Sequence, residues 1–233
     1  MLSLNLEGKV VIVTGASGAL GVAVTKAFLE AGARVVGVDR LPRSKSPAHP
    51  ALTHVAVALE DFAAVEQLVN DVMLIRGRID AVVHLVGGFA GGLRIEETGD
   101  DVWDKMFAVN LRPAIHLARA VIPFMRTAKR GAFLAIGSPA AIDATPNVGA
   151  YAAAKAGLIS LIKTIAVENR DRQIRANVIA PGTLDTHANR TADPDYDSTR
   201  WVQLPNLASL LVWLVSDAGS EVTGAVLPLP GRE

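Results

Sequence analysis

The sequence predicts a doubly wound α/β fold, in which helices cover both faces of a mainly seven-stranded parallel sheet. Short apolar segments alternate along the chain with helical segments of ten or more residues, which is the pattern of parallel βαβ units. The chain is 50% hydrophobic but only 5% aromatic, a composition that suits buried parallel strands packed closely by helices. No linker or repeat divides its 233 residues, so we expect one domain spanning residues 1–233.

The N-terminal part contains a strand, a glycine-rich turn and a helix in succession. Residues 10–14 are apolar and β-branched, as expected for a buried strand. Residues 15–21 are rich in glycine, residues 22–31 have helical spacing, and Gly32 marks the end of that helix. Residues 34–38 form the second predicted strand, which ends at Asp39.

The remaining elements continue the alternation. Further strands are predicted at residues 54–59, 81–86, 132–137, 174–180 and 225–229, and further helices at residues 62–76, 100–125, 151–169 and 207–216. The long third helix is expected to bend near Pro113, because proline lacks the helical N–H donor. Three prolines and two serines in residues 41–50 indicate a surface loop, and residues 183–204 are polar and irregular.

Composition argues against several classes of function. The formal net charge is zero and the pI is about 7.0, without the basic run of a nucleic-acid-binding surface. Cysteine is absent, and the five histidines lack metal-ligand spacing, so we expect no metal site. With no signal segment and no uninterrupted apolar run of about 18 residues, we expect a soluble, cytoplasmic protein without a membrane partner.

The glycine-rich turn predicts a dinucleotide site. Glycines allow the backbone to approach a pyrophosphate, and the following helix presents free N–H groups to it. Asp39, 18 residues after Gly21, is placed to accept hydrogen bonds from the adenosine ribose and to repel a 2′-phosphate. This favours NAD(H). The neighbouring Arg40 and Arg43 favour a phosphate, so NADP(H) stays open.

Tyr151 and Lys155 form a second candidate site. They are separated by three alanines, which favour helix, so both side chains are expected on one helix face. A nearby ammonium stabilises the phenolate and lowers the phenol pKa, which suits a proton donor or acceptor. Alone the pattern is common, and its meaning depends on the rest of the chain.

Taken together, these motifs resemble the short-chain dehydrogenase/reductase family over residues 6–231. Residues 14–21, TGASGALG, are similar to the family's cofactor motif TGxxxGxG, although its middle glycine falls on Ala19. Matching segments follow in the family's order at residues 80–83, 109–111, 138, 151 with 155, 181–182 with 186, 216–217 and 222–224. The resemblance implies a Rossmann-like fold.

The resemblance also implies roles for individual residues. Tyr151 would be the acid/base, Ser138 would hold the substrate oxygen, and Lys155 would lower the tyrosine pKa and bind the nicotinamide ribose. Asn110 would complete a proton relay through water. Ser138 precedes Tyr151 by thirteen residues, the family's usual spacing. The implied cofactor contacts are Gly15, Ser17, Gly18, Ala19, Leu20, Gly21, Asp39, Arg40, Leu59, Val86, Gly87, Gly88, Tyr151, Lys155, Pro181, Gly182, Thr183, Leu184 and Thr186.

Several departures point to a particular branch. The family's NNAG segment aligns with His84-Leu85-Val86-Gly87, where we expect His84 to be a buried core residue, and Ala58 replaces an acidic adenine contact. The loops at residues 18–21, 87–92, 140–146 and 183–190 resemble dihydropteridine reductase. That relative lacks the serine and asparagine that Ser138 and Asn110 supply here, so no pterin substrate is assigned.

The leading hypothesis is an NAD(P)(H)-dependent oxidoreductase that interconverts a small-molecule alcohol and carbonyl. Alternatives are reduction of a quinonoid ring, an NADPH-dependent 3-oxoacyl reductase, and a non-catalytic dinucleotide sensor or scaffold. A lid is expected at residues 184–204, with Phe89, Tyr196 and Trp201 lining a substrate pocket. The resemblance further implies a homodimer or homotetramer assembled through the long central helix and the tyrosine helix.

Overall fold

The computed structural model describes residues 4–41 and 49–232, which form a seven-stranded parallel sheet with helices on both faces. The predicted fold class is confirmed. Arg43 and most of the predicted surface loop lie outside the described residues.

The strands are arranged in the order β3-β2-β1-β4-β5-β6-β7, and every neighbouring pair is parallel. The direction of winding therefore reverses between β1 and β4, and a doubly wound sheet opens a ligand crevice at such a switch point. The strands are β1 Val10–Thr14, β2 Arg34–Asp39, β3 Leu52–Ala56, β4 Ala81–His84, β5 Gly131–Ile136, β6 Ile174–Pro181 and β7 Val226–Leu229.

Helices cover the sheet in two layers. On one face α1 and α7 pack together, and on the other lie α2, α4 and α5. The α-helices within the described residues are α1 Ala19–Glu30, α2 Phe62–Arg76, α3 Asp100–Asn110, α4 Arg112–Ala128, α5 Gly149–Glu168, α6 His187–Ala192 and α7 Leu204–Val215.

The two layers explain why the central strands are continuously apolar. In β1, Val10 and Ile12 join the core under α2, α4 and α5, whereas Val11 and Val13 join the core under α1 and α7. Because successive side chains of a strand point to opposite faces, a strand covered on both sides needs apolar residues at every position.

Several predicted boundaries were wrong: α1 and α7 each begin three residues earlier than expected, β4 ends two residues earlier, and two differences are larger. The third strand was expected at residues 54–59 but is Leu52–Ala56, an edge strand whose half-exposed residues give little hydrophobic pattern. The helix expected at residues 100–125 is two helices that meet at Leu111. Pro113 lies in the first turn of α4, where the missing N–H costs little.

One helix within the described residues, α5, is long and apolar enough to cross a membrane by length and composition, with a mean hydropathy of 1.4. Its Leu158 and Ile162 are fully buried in the core that α5 forms with α2, α4 and the sheet. A helix packed in this way against a sheet is the core helix of a folded domain, and we interpret α5 accordingly.

Candidate active site

The glycine-rich turn joins β1 to α1 and needs glycine at specific points. Gly15 has φ of +69°, a backbone region that other residues rarely adopt. A Cβ at Gly21 would lie 2.0 Å from the Gly15 carbonyl oxygen, so that turn and helix can approach this closely only without a side chain. Gly18 precedes Ala19 and Leu20, the first residues of α1, and no side chain caps that helix terminus. Such a terminus suits a phosphate.

A cleft of about 450 Å³ lies beside this turn. The Asp39 carboxylate accepts one hydrogen bond from the Ser17 N–H at 2.8 Å and another from the Arg40 N–H at 3.1 Å. These bonds place a carboxylate at the end of β2, next to the turn. The lining residues are Ser17, Gly18, Asp39, Arg40, Leu41, Val57, Leu59, Glu60, Val86, Gly87 and Val109.

The predicted catalytic residues meet at the carboxyl ends of β4 and β5. A Cβ added at Gly87 would lie 2.9 Å from Asn110 Oδ1 and 3.1 Å from Lys155 Nζ, so both side chains reach the same point of the loop after β4. Lys155 Nζ lies 6.0 Å from the Tyr151 ring centroid. Ser138, just after β5, is close enough to Tyr151 to influence its ionisation.

Asn110 connects the helix junction to the loop after β4. Its side chain is fully buried, donates to the carbonyl oxygen of Gly88 at 3.0 Å, and accepts from the Gly88 N–H at 3.1 Å. It also donates to the Met106 carbonyl, one turn earlier in α3. Asn110 therefore fixes the loop that carries Gly87 and Gly88, while the water relay implied for it stays a prediction.

The ionisation of Tyr151 differs from the expectation. Burial raises the pKa of Tyr151 above its usual 10.0, and the nearby Ser138 hydroxyl offsets this only in part. The expected lowering of this pKa was wrong, because burial of the phenol dominates. The Lys155 ammonium donates to the Ile136 carbonyl oxygen at 2.8 Å. Tyr151 is therefore held as the neutral phenol.

Lys155 is itself perturbed. Burial lowers the pKa of Lys155 from 10.5 to about 8, because an ammonium is poorly solvated in the protein interior. The lysine is thus close to titrating under mildly alkaline conditions, next to the tyrosine that it is expected to assist.

The lowered pKa of Lys155 should make the free energy of unfolding depend on pH. Between about pH 8 and pH 10.5 the unfolded chain keeps the Lys155 proton that the folded chain has lost, so the free energy of unfolding should rise with pH across this window. Lys155→Met should remove that rise. Urea unfolding of the two proteins across the window measures it, with Lys163→Met, which removes an exposed ammonium of the same helix, as the control. Parallel pH profiles for wild type and Lys155→Met would contradict the assignment.

His84 is the buried core residue that the sequence predicts. It is 1% exposed, and its Nδ1 lies 2.9 Å from the Thr14 hydroxyl on the neighbouring strand. Burial lowers the pKa of His84 to about 3, and the charge of Lys155 adds to this effect. His84 is therefore neutral and ties β4 to β1 just below the candidate site.

The predicted nicotinamide contacts lie at the end of β6, two strands beyond β4 and outside the cleft beside the turn. Pro181 ends β6, and a Cβ at Gly182 would lie 2.9 Å from the Pro230 carbonyl oxygen. Thr186 caps α6 by accepting from the Asn189 N–H. The Thr183 and Leu184 backbones pair with the segment around Val202.

The aromatic residues expected to line a substrate pocket separate into two groups. Phe89 is 70% exposed and packs edge-to-face on Tyr151, with ring centroids 5.1 Å apart. Tyr196 and Trp201 instead stack on each other at 5.3 Å, and Trp201 is buried. Phe89 therefore lies beside the candidate reaction centre, whereas the other two aromatic rings stabilise the segment after α6.

Sequence reasoning missed Glu60 and Val57. Both line the cleft. Val57 lay inside the strand predicted at residues 54–59, and Glu60 directly followed it. An acidic residue just after a strand end in a dinucleotide fold was the signal available. Within residues 4–41 and 49–232, no group of three or more His, Cys, Asp or Glu side chains is arranged to hold a metal ion.

The fold and the site together define a Rossmann-like protein with a crevice at the β1–β4 switch point. A model of the short-chain dehydrogenase family matches residues 9–197, and the chain belongs to this family. It is therefore an oxidoreductase of a family that uses nicotinamide dinucleotides.

Curated relatives match nearly the whole chain. The short-chain dehydrogenase/reductase olcF of Penicillium canescens is 32% identical, over 96% of this chain and 96% of that protein. The 3-oxoacyl-[acyl-carrier-protein] reductase FabG of Thermotoga maritima is 30% identical, over 98% of each.

Solved structures agree with the fold. The crystal structure of gox2181 superposes with a TM-score of 0.88 at 30% identity, covering 98% of this chain and 96% of that one. A putative short-chain dehydrogenase/reductase from Burkholderia xenovorans gives a TM-score of 0.88 at 30% identity, over 97% and 96% of the two chains. NAD+-bound xylitol dehydrogenase, at 23% identity and a TM-score of 0.88 over 97% and 98%, shares the fold.

Proposed function

We propose that this protein interconverts an alcohol and a carbonyl of a small molecule by hydride transfer with a nicotinamide dinucleotide, in one domain spanning residues 1–233. The observation that carries the proposal is that Asn110 and Lys155 meet at Gly87 in the loop after β4, with the Tyr151 ring centroid 6.0 Å from Lys155 Nζ and Ser138 beside the phenol. When bound, the dinucleotide supplies or accepts the hydride.

The side chains supply the remaining chemistry. Tyr151, held as the neutral phenol, donates a proton to the substrate oxygen when a carbonyl is reduced and takes it back in the reverse direction. The Ser138 hydroxyl donates a hydrogen bond to the same oxygen and stabilises its developing negative charge. Lys155 would bind the nicotinamide ribose, because an ammonium presents three N–H donors.

The glycine-rich turn between β1 and α1 is suited to binding the dinucleotide. The tight contact between Gly21 and Gly15 and the uncapped start of α1 leave backbone N–H groups for the pyrophosphate. The adenosine ribose would lie in the cleft beside Asp39, and Pro181, Gly182, Thr183, Leu184 and Thr186 would meet the nicotinamide end.

We infer a preference for NAD(H), because Asp39 presents a carboxylate where NADP(H) carries its 2′-phosphate. Replacing Asp39 by serine should remove this repulsion and tighten NADP+ binding about tenfold, the effect of roughly 1.4 kcal/mol. Titration of the wild type and the variant with both dinucleotides, followed by tryptophan fluorescence, measures it. Equal NADP+ affinities in the two proteins would contradict the role of Asp39.

The substrate is best found by following dinucleotide absorbance with panels of carbonyls, alcohols and quinonoid pterins. Turnover of a ketone or alcohol supports the proposal, and turnover of a quinonoid ring alone supports the dihydropteridine-reductase-like alternative. A 3-oxoacyl thioester belongs in the panel because FabG is among the relatives. Dinucleotide binding without any turnover across the panel would favour a cytoplasmic sensor or scaffold.

The outer face of α5 supports assembly into a homodimer or homotetramer. Val167 on this helix is 63% exposed, and Phe107 on the adjoining α3 is 40% exposed. Pairing these faces with a second copy would bury apolar surface that is otherwise in water. Light scattering of the purified chain tests this, since a monomer mass would contradict it.

A further inference from the structure

An ion pair lies in the lining of the cleft beside Asp39. The Arg40 guanidinium, one residue beyond β2, pairs with the Glu60 carboxylate in the loop between β3 and α2. The Arg40 side chain is 69% exposed and that of Glu60 is 35% exposed. Both residues line the cleft into which the adenosine ribose is proposed to bind.

The ion pair limits the ability of Arg40 to bind a phosphate. An arginine just after the second strand is well suited to a 2′-phosphate, because the guanidinium binds phosphate oxygens through two parallel N–H donors. Here Nη2, one of the nitrogens needed for that contact, already donates to Glu60. An incoming phosphate would therefore have to displace a carboxylate.

The surrounding charge adds to this effect. Asp39 and Glu60 contribute two carboxylates to the cleft wall, against the single guanidinium of Arg40 among the described lining residues. A phosphate monoester carries about −1.5 to −2 charges near neutral pH. The described lining residues would present it with a net negative charge.

We propose that Glu60 is a specificity-determining residue that engages Arg40 and so disfavours dinucleotides with a 2′-phosphate. This rests on the proposed function, and it extends it because Glu60, rather than Asp39 alone, sets the choice between the two cofactors. Arg40 has the chemistry to bind a 2′-phosphate, but its ion pair with Glu60 competes with that contact.

The test is a double-mutant cycle on dinucleotide binding. Glu60→Gln, Arg40→Gln and the double variant are titrated with NAD+ and NADP+ by tryptophan fluorescence. Glu60→Gln should tighten NADP+ binding by about fivefold, the factor expected for a partly exposed ion pair at the upper end of its usual range, and leave NAD+ affinity unchanged. In the Arg40→Gln background the same change should have a smaller effect, because only the loss of the Glu60 charge then acts on the phosphate. Glu66→Gln removes an exposed carboxylate of α2 outside the cleft lining and is the charge-matched control.

Three results would overturn the inference. These are an unchanged NADP+ affinity in Glu60→Gln, an effect of equal size when Arg40 is absent, and a change in preference that arises only from weaker NAD+ binding. Each leaves the proposed function intact, because the variants still bind a dinucleotide. If the unaltered protein bound neither dinucleotide, both the inference and the proposed function would fall.

Discussion

Replacing Tyr151 by phenylalanine is expected to lower kcat/KM by about 100- to 10,000-fold, the range that positioned acid–base catalysis supplies. The change removes the phenol hydroxyl that supplies the proton, while the ring and its edge-to-face contact with Phe89 are retained. Steady-state kinetics with a substrate identified in the screen measures the loss. Because the ring volume is conserved, the free energy of unfolding should change little.

A matched variant separates catalysis from packing. Phe89→Leu removes the aromatic partner of Tyr151 but keeps the hydroxyl, so it should change KM more than kcat. Tyr151→Phe should still bind the dinucleotide, since Lys155 and the glycine turn are untouched and only the hydroxyl contact implied for Tyr151 is lost. Full turnover by Tyr151→Phe would rule out the acid/base role of this tyrosine.

Replacing Gly21 by alanine is expected to abolish dinucleotide binding and to destabilise the protein. The new Cβ would lie 2.0 Å from the Gly15 carbonyl oxygen and 2.7 Å from the Ala16 backbone, and neither can move without displacing the turn from β1. Overpacking of this kind costs about 1–3 kcal/mol or more. Urea unfolding and calorimetric titration with NADH measure the two effects.

Gly18→Ala is the comparison for that substitution. Gly18 has φ of −73°, which alanine adopts freely, and its added Cβ would lie 3.3 Å from the Gly15 carbonyl oxygen. Its cost in unfolding free energy should be about 1 kcal/mol or less, the usual price of alanine at a helix N-cap. If both variants were equally stable, the close packing of the turn on α1 would not be needed for the fold.

The elements that the sequence predicted best carry their own local signals. The bounds of α2 were predicted correctly as residues 62–76. Asp61 caps its N-terminus by accepting from the Ala63 N–H at 2.9 Å. Gly77 ends the helix with φ of +72°. Both interactions are local in sequence, so they are visible without the fold. In contrast, β3 is an edge strand with little burial to pattern it, and its position was missed.

The candidate site likewise contains residues that the sequence predicted and interactions that it did not. Tyr151 and Lys155 were placed on one helix face by their spacing alone, and Asp39 was found by its position after the second strand. The effect of Lys155 on the tyrosine was not predictable, because it depends on which carbonyl oxygen the ammonium reaches and on how deeply the phenol is buried. The Arg40–Glu60 pair likewise joins residues 20 positions apart that meet only because β2 and β3 are neighbours.

The sequence by itself determined the order of strands and helices, the glycine turn, and the residue types available at the strand ends. These follow from periodicity and local backbone preference, which act over a few residues. Only the tertiary structure decided which strand ends meet, that Asn110 and Lys155 meet at Gly87, and that burial raises the pKa of Tyr151. Burial and through-space charge set those properties, and both depend on groups far apart in the chain.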